Sequence, residues 1–317
     1  MHAGRLCRLA FRVGTGVAIL AVVAAAQAAQ ADGGPSGEGS LPPTPAAERG
    51  VRVTPTVEYG FPADLPGERG VMSLLRAQLG VAGTVPVNRC LLLQLTFAAE
   101  VDAYDLSDPD AIVPGSGRLL DEGRYARFEP LAKLDLPRGW GLIAGPVVQS
   151  AGVPGARFEE TLTWGGQASV KFPISASTSL VLGASVETKL EGSWSIFPLL
   201  DIQGISTGSI VLGVRGTGIR AGIPLSPCLA LGLSARYDRR DWRLAESDRV
   251  PEGVFRDIRI AFGVDLEWRA RPSLAVSIGT WLNAYHEIRI DDRHGDPVTS
   301  FNADPSFTLA TSVSISF

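Results

Sequence analysis

From residue 50 to the C-terminus, hydrophobic and polar residues alternate with a period of two in many short segments. In 258–268, IRIAFGVDLEW, large apolar residues occupy one parity, and arginine, alanine, glycine, aspartate and glutamate occupy the other. Segments 91–101, 179–187 and 306–317 alternate in the same way, whereas the three-and-four spacing of an amphipathic helix is almost absent. The pattern predicts an all-β chain whose strands each have one apolar face.

The composition of the polar face indicates which all-β fold this is. It consists mainly of Gly, Ser, Ala and Thr with scattered charges, whereas the solvent-facing side of a soluble β-sandwich is rich in charged residues. Small polar residues opposite an apolar face are typical of a barrel whose lumen is polar and whose outside contacts lipid. Closure suits a bilayer because it leaves no unpaired backbone edge in hydrocarbon. A secreted sandwich or propeller is the alternative.

The connections between the predicted strands fall into two alternating classes. One class is short and mostly marked by proline, as in LPRGW and IPLSPC; the other is long and polar, as in 103–123 and 291–304. Short periplasmic turns and long outer loops are typical of transmembrane barrels. We predict a transmembrane, antiparallel, up-and-down β-barrel of 14 strands, or of 12 if the ambiguous region 194–224 holds two fewer. The predicted strands are 51–59, 71–82, 90–102, 124–136, 140–149, 162–172, 179–188, 194–203, 209–215, 218–224, 228–242, 255–269, 273–290 and 306–317.

The N-terminus has the features of an export signal. Three arginines precede a short apolar run, and small residues lead to Ala31, which predicts a cleaved signal peptide over 1–31. Residues 32–50, rich in Gly, Pro and Ser, are predicted to be a disordered tether, and 51–317 to be the barrel. Losing residues 1–31 removes three arginines and no acid, which makes the net charge of −4 more negative. An acidic chain argues against a nucleic-acid partner.

Aromatic residues cluster near the ends of the predicted strands. Trp140 and Trp268 adjoin short turns, whereas Trp164, Trp194 and Trp242 lie toward the long loops. Two aromatic girdles at these levels would place the barrel in a lipid bilayer.

The last strand ends on an aromatic residue, in SFTLATSVSISF. Leu309, Val313, Ile315 and Phe317 share one parity, and Thr311 departs mildly from it. This arrangement resembles the C-terminal assembly signal of bacterial outer-membrane barrel proteins. The resemblance implies an outer-membrane location and the outer-membrane assembly machinery as a partner.

The C-terminal third, about 205–317, resembles an uncharacterised family of exported β-barrels known only as a domain of unknown function. The similar stretches are LGLSARYDRRDWRL, EGVFRDIRIAFGVDLEWRARPSLAVSIGTWL and HEIRIDDRHGDPV, together with the terminal strand. The resemblance implies a barrel and adds no chemistry.

Strand parity assigns charged residues of both signs to the lumen in similar numbers. Such charges must pair across the barrel or line water. We therefore expect a porin-like barrel that lets small polar solutes diffuse passively with weak charge selectivity. The alternative is a structural or adhesive barrel plugged by salt bridges, with Arg236 and Arg259 pairing with Asp265 and Glu267. The predicted lumen charges are Arg76, Glu100, Lys133, Asp135, Lys171, Glu187, Arg236, Arg259, Asp265 and Glu267.

One outer loop contains the residues that could carry chemistry. A His–carboxylate pair there would suit an outer-membrane hydrolase, the third hypothesis, and the carboxylates could ligate calcium without forming a full EF-hand loop. Continued alternation would place His286 on the lipid-facing parity. An ordinary polar hairpin also explains the loop, so we expect no enzyme, metal or cofactor. The residues concerned are His286, Glu287, Asp291, Asp292, His294 and Asp296.

Overall fold

The structure is a computed structural model in which one antiparallel sheet closes on itself. It describes residues 50–67, 70–108, 121–175, 178–207, 210–215, 218–246 and 248–317, with the backbone alone over 203–215 of these. The predicted signal peptide and almost all of the predicted tether lie outside the described residues.

Fifteen strands form the sheet within the described residues. In the described part of the chain, the connections also contain a helical turn, Phe158–Thr161, and a 3₁₀ turn, Pro137–Gly139. The strands are β1 (Gly50–Asp64), β2 (Val71–Pro86), β3 (Leu91–Leu106), β4 (Glu122–Asp135), β5 (Gly141–Gly152), β6 (Leu162–Pro173), β7 (Ser179–Thr188), β8 (Trp194–Thr207), β9 (Ile210–Arg215), β10 (Gly218–Ser226), β11 (Leu229–Arg243), β12 (Val254–Arg271), β13 (Leu274–Asp291), β14 (Pro297–Asn302) and β15 (Ser306–Ser316).

The first and last strands close the wall. β1 pairs with β15 from Val53↔Ile315 to Tyr59↔Leu309, and β15 pairs with β13 on its other side. β14 pairs only with the long-loop end of β13, so it extends a hairpin and does not belong to the wall. The prediction of 14 wall strands is confirmed, and closure pairs the backbone edges that a bilayer would not tolerate.

The two faces of the wall follow the alternation in the sequence. On β12, Phe262, Val264 and Trp268 are exposed on the outside, whereas Asp265 is buried inside the barrel. Directly paired residues share a face of the sheet. Glu267, two residues from Asp265, pairs with Ser277, and Ser277 pairs with Ser312, so both serines also point inward.

The wall is not uniform in height. β9 and β10 form a short hairpin that reaches only to the pair Arg215↔Gly218. Above that level β11 turns across the barrel, where Arg243 pairs with Gly152 of β5 and its carbonyl accepts the N–H of Val153 at 3.0 Å. The long-loop end is therefore narrower than the short-turn end.

No helix in the described part of the chain is both long enough and apolar enough to span a membrane.

Candidate functional site

The long-loop half of β11 is attached to the opposite wall by ion pairs across the lumen. Arg240 donates to both carboxylate oxygens of Glu100 on β3, at 2.8 and 3.2 Å. Arg236 donates to both oxygens of Glu58 on β1, at 3.0 and 3.1 Å. These pairs join strands that are far apart around the wall, so they cross the interior and do not follow a ladder.

Arg76 of β2 is the centre of this network. It donates to both oxygens of Asp102, at 2.9 and 2.8 Å, and to Asp238 of β11 at 2.8 Å. Glu100 lies 3.4 Å away. Arg76 and its partner Asp102 are 2% and 0% exposed, so each charge depends on its partners for the solvation that water would provide.

A second buried cluster surrounds Asp257 of β12. Its Oδ2 accepts the hydroxyl of Tyr104 at 2.6 Å, and its Oδ1 lies 3.0 Å from Nε2 of His286. Arg259 also donates to both oxygens of Asp257. Nδ1 of His286 is buried and has no hydrogen-bond partner among the described atoms. The His–carboxylate pair that the sequence suggested therefore involves Asp257, and it is enclosed in the barrel.

The position of His286 contradicts the predicted lipid-facing parity. The register changes from Ile260↔Tyr285 to Ala261↔Asn283, so Ala284 is an extra residue in β13. A bulge of one residue inverts the facing of every later position. His286 is consequently 4% exposed and points inward.

An apolar core fills the barrel at its long-loop end. The rings of Tyr104, Trp242 and Phe255 pack together with centroids 5.5 to 5.9 Å apart. Burial of such side chains stabilises the folded state, and these side chains occupy the lumen at that level. The other members of the core include Met72, Leu74, Leu244, Ile288, Ile290 and Phe301.

The prediction that Trp242 belongs to an aromatic girdle is wrong. Trp242 is 1% exposed and has the same parity on β11 as the inward-facing Arg236 and Arg240. Its indole lies so close to β4 that a Cβ on Gly123 would meet Nε1 at 2.4 Å. Residue type suggested an interfacial position, but the strand parity and the bend of β11 place the ring in the core.

The other four predicted girdle residues lie on the outside. Trp140 and Trp268 are exposed near short turns, and the Trp140 ring packs 4.8 Å from that of Phe172. Trp164 and Trp194 are exposed toward the long loops, with ring centroids 5.2 Å apart. Their role at membrane interfaces stays a prediction.

A cavity of about 640 Å³ lies inside the barrel on the short-turn side of the network. Trp281 contributes an indole whose Nε1 donates to Ser234 Oγ at 3.0 Å, with the Arg236 guanidinium 5.1 Å from the ring centre. Arg220 reaches Asp265 and Glu267 on the same wall. The cavity is therefore lined by charged residues of both signs beside an aromatic ring.

The predicted pairing of Arg236 and Arg259 with Asp265 and Glu267 is wrong. Arg236 forms an ion pair with Glu58, and Arg259 forms one with Asp257. Asp265 is paired with Arg220 instead. Glu267 also accepts from Arg269 at 2.8 Å. Parity assigns a side chain to a face, but the bend of β11 decides which opposite strand it meets.

The other predicted lumen charges lie away from β11. Glu187 of β7 accepts from Arg127 of β4 at 3.1 Å, which links a further pair of non-adjacent strands. Lys133, Asp135 and Lys171 lie near the short-turn end, where Lys171 and Asp135 are both paired with Gly141 in the ladders.

The predicted assembly residues occupy the outward parity of β15. Leu309 and Phe317 are exposed, whereas Ile315 is 1% exposed beside Val53 and Leu274. Phe317 exchanges backbone hydrogen bonds with Val51, N to O in both directions. The terminal residue thus takes part in closing the wall, and its role in assembly stays a prediction.

Two loop carboxyl groups at the long-loop end have shifted pKa values. Burial opposes ionisation of Glu191, but hydrogen bonding to Arg256, with Nη2–Oε1 at 2.8 Å, lowers its pKa below the usual 4.5. Burial raises the pKa of Asp248, against the effect of the hydrogen bond from the Ala245 N–H. Glu191 thereby attaches the β7–β8 connection to the outside of β12.

The acidic segment after β13 is organised by its own backbone. Asp292 Oδ1 accepts the N–H groups of His294 and Asp296, at 2.8 and 2.9 Å. Asp291 is buried and accepts from Arg289 at 2.6 Å. Over the described ranges, no group of three or more His, Cys, Asp and Glu residues could hold a metal ion.

Comparisons with known proteins support no assignment to a family. No family model matches the chain, and no curated protein matches it. The class of protein is therefore defined by the fold and the site alone: a closed β-barrel with an apolar outer face, whose lumen is crossed by ion pairs.

Several solved structures are similar to the chain. An outer-membrane channel from Pseudomonas putida F1 has 11% identity and a TM-score of 0.47, over 90% of this chain and 100% of its own. A FadL homologue from Pseudomonas aeruginosa has 11% identity and a TM-score of 0.46, over 84% and 90%. The KdgM porin in complex with oligogalacturonate has 7% identity and a TM-score of 0.32, over 83% and 99%. At these values the similarity carries no argument about what this chain does.

Proposed function

We propose that this chain is a porin-like barrel of an outer membrane, exported by a cleaved signal peptide, and that the described conformation is its closed state. The observation that supports the proposal is the attachment of β11 to β1 and β3 by Arg236–Glu58 and Arg240–Glu100. The attachment places a strand across the lumen, so a solute has no straight path past it.

Small polar solutes are the cargo that the short-turn side favours. The cavity there has Gln78, Ser234 and Ser277 beside charged residues, and the acids and bases around it are mostly paired. Because paired charges cancel at a distance, the lumen would discriminate only weakly between cations and anions once β11 moves aside.

Single-channel recording in planar bilayers tests this proposal. The wild type should remain mostly closed, because both pairs hold β11 across the lumen. The double variant Arg236→Ala with Arg240→Ala should raise the open fraction, since it removes the ion pairs that attach β11 to β1 and β3. Arg239→Ala is the matched control: its partner Asp241 lies on the other face of β11, so the open fraction should match the wild type.

Two further results would decide the solute class. Vesicles that contain the double variant should swell in neutral sugars, and cation and anion permeabilities should be similar. If the wild type and the double variant both insert but never conduct, the channel proposal is wrong.

A structural or adhesive barrel is the second candidate. The core around Trp242 and Phe255 favours it, because these buried rings stabilise the closed end independently of the ion pairs. It predicts that releasing β11 destabilises the barrel without producing current.

A further inference from the structure

We propose that the barrel wall contains a lateral slot between β8 and β11, and that an amphipathic small molecule passes through it between the membrane and the lumen. The inference rests on the proposed membrane location but not on ion conduction. It would hold equally for a barrel that never carries a current.

The first argument is the topology of the wall. β8 pairs with β9 only from Asp201 onward, and β11 pairs with β10 only up to Arg236. Just two residues connect Arg215 to Gly218, so the β9–β10 hairpin has no chain with which to extend higher. Among the described residues, Trp194–Leu200 and Tyr237–Trp242 therefore each have a wall strand on one side only. At the hairpin tip, three strand spacings, roughly 14 Å, separate the axes of β8 and β11.

The second argument is the composition of β8 along the slot. Phe197 pairs directly with Ser185, whose hydroxyl donates to the lumen residue Glu187, so Phe197 also faces inward. Leu199 follows on the same face. Phe197 is nevertheless 41% exposed, whereas Ile196 on the outer face is 72% exposed. An exposed aromatic ring on the inner face is unexpected for a polar lumen but suits a passage for an apolar group.

The opposite edge of the slot is polar. Tyr237 is exposed, and Arg239 donates to both oxygens of Asp241 at 2.9 and 2.7 Å on the same face of β11. The Glu191–Arg256 ion pair bridges the two sides at the long-loop end. The slot thus has an apolar edge, a polar edge and a closed top, which fits a molecule with an apolar body and a polar head.

The inner end of the slot leads to a space that can receive such a molecule. Gly218 and Arg220, at the tip of the short hairpin, line the 640 Å³ cavity. Above them, the path along the barrel axis is closed by the Arg76 network and the apolar core. The low part of the wall is therefore a route from the cavity to the membrane that avoids both the Arg76 network and the apolar core.

Fluorescence quenching tests lipid access to the inner face of β8. All variants carry Cys90→Ser and Cys228→Ser. Phe197→Cys and Leu199→Cys are the test variants on the inner face of β8. Ile196→Cys on the outer face of β8 is the lipid-exposed control, and Ser277→Cys on the inner face of β13 is the lumen control. Each variant would be bimane-labelled and reconstituted in phosphatidylcholine brominated near the headgroup end of its chains. We expect Phe197→Cys and Leu199→Cys labels to be quenched nearly as strongly as Ile196→Cys, and several-fold more than Ser277→Cys. Two inner variants are used in case one of them does not fold. A heat-dependent shift in gel mobility shows which variants are folded.

The ligand class is tested with doxyl-labelled stearate as the probe. Quenching of the Phe197→Cys label should saturate as the probe is added, because a slot has a limited capacity, whereas quenching at Ile196→Cys should rise steadily. If the inner labels behave like Ser277→Cys in brominated lipid, the slot does not exist. Steady quenching at both sites would overturn the proposed passage of an amphiphile. Neither result depends on conductance, so this inference and the channel proposal can fail separately.

Discussion

Arg240 and Glu100 form a bidentate ion pair across the lumen, with Nε–Oε1 at 2.8 Å and Nη2–Oε2 at 3.2 Å. Their strands, β11 and β3, are not neighbours in the sheet. The Arg240 guanidinium also lies 5.5 Å from the ring centre of Tyr125 on β4. One side chain thus holds the bent half of β11 against two strands of the opposite wall.

Replacing Arg240 with alanine should destabilise the barrel by about 3–5 kcal/mol, because it leaves the buried Glu100 with a more distant cation. Arg239→Ala breaks a partly exposed pair on the other face and should cost roughly 0–1 kcal/mol. Urea unfolding in lipid vesicles, followed by tryptophan fluorescence, measures both. Equal unfolding midpoints for the two variants would show that the Arg240–Glu100 pair stabilises the barrel no more than the Arg239–Asp241 pair does.

A second prediction concerns close packing inside the barrel. A Cβ on Gly263 would lie 2.0 Å from Cδ1 of Trp281, so Gly263→Ala forces the indole to move. Overpacking of this kind should cost roughly 1–3 kcal/mol. Gly83→Ala is the control, since its nearest neighbour would be Val51 Cγ2 at 3.9 Å.

The same unfolding assay gives a test of the cause. If Trp281 is the obstacle, the double variant Gly263→Ala with Trp281→Ala should be less destabilised than the sum of the single variants. Strict additivity would assign the effect to the backbone of Gly263.

The sequence could predict the wall because a period of two decides the face of each residue wherever pairing is regular. Val264 and Asp265 illustrate this, one outside and one inside. The sequence could not predict that His286 faces inward, since the bulge at Ala284 changes the parity of β13 and leaves no mark in the alternation.

The bend of β11 was equally hidden from the sequence. Periodicity places Arg240 and Glu100 inside, but it does not say that a short β9–β10 hairpin lets one wall approach the other. Ambiguous alternation in 194–224 was the only signal in that region, and it proved to mark the place where the wall is low. For Trp242, parity predicts the inner face correctly, whereas its residue type wrongly suggests a membrane interface.

Labelling tests the inward and outward faces directly. After Cys90→Ser and Cys228→Ser, a cysteine at Ile278 should react with a lipid-phase probe, since this exposed residue lies on the outer face. A cysteine at Ser277 should react with a water-soluble maleimide instead, because that side lines the cavity. Reversed reactivity would invert the assignment of the two faces.

The Glu191–Arg256 contact should make the long-loop end sensitive to acid. The folded-state pKa of Glu191 is lowered, so its contribution to stability is complete above the usual pKa of 4.5 and is lost as the pH falls through the lower folded-state value. Limited proteolysis in the β7–β8 connection should therefore accelerate in acid. Glu191→Gln should be cleaved quickly at every pH, and an unchanged pH profile in that variant would remove Glu191 as the cause.

The last residue should matter for assembly more than its neighbour. Phe317 is exposed on the outward parity and exchanges backbone hydrogen bonds with Val51, whereas Ser316 has the inward parity. A charge on the lipid side of a barrel costs up to roughly 2–4 kcal/mol at the membrane centre and less at an interface. Phe317→Asp should therefore lower the amount of heat-modifiable, folded protein in outer-membrane fractions, and Ser316→Asp should lower it much less. Phe317→Tyr, which keeps an aromatic ring, should restore the folded amount. If Phe317→Asp accumulates to the wild-type level, the terminal aromatic residue has no part in assembly.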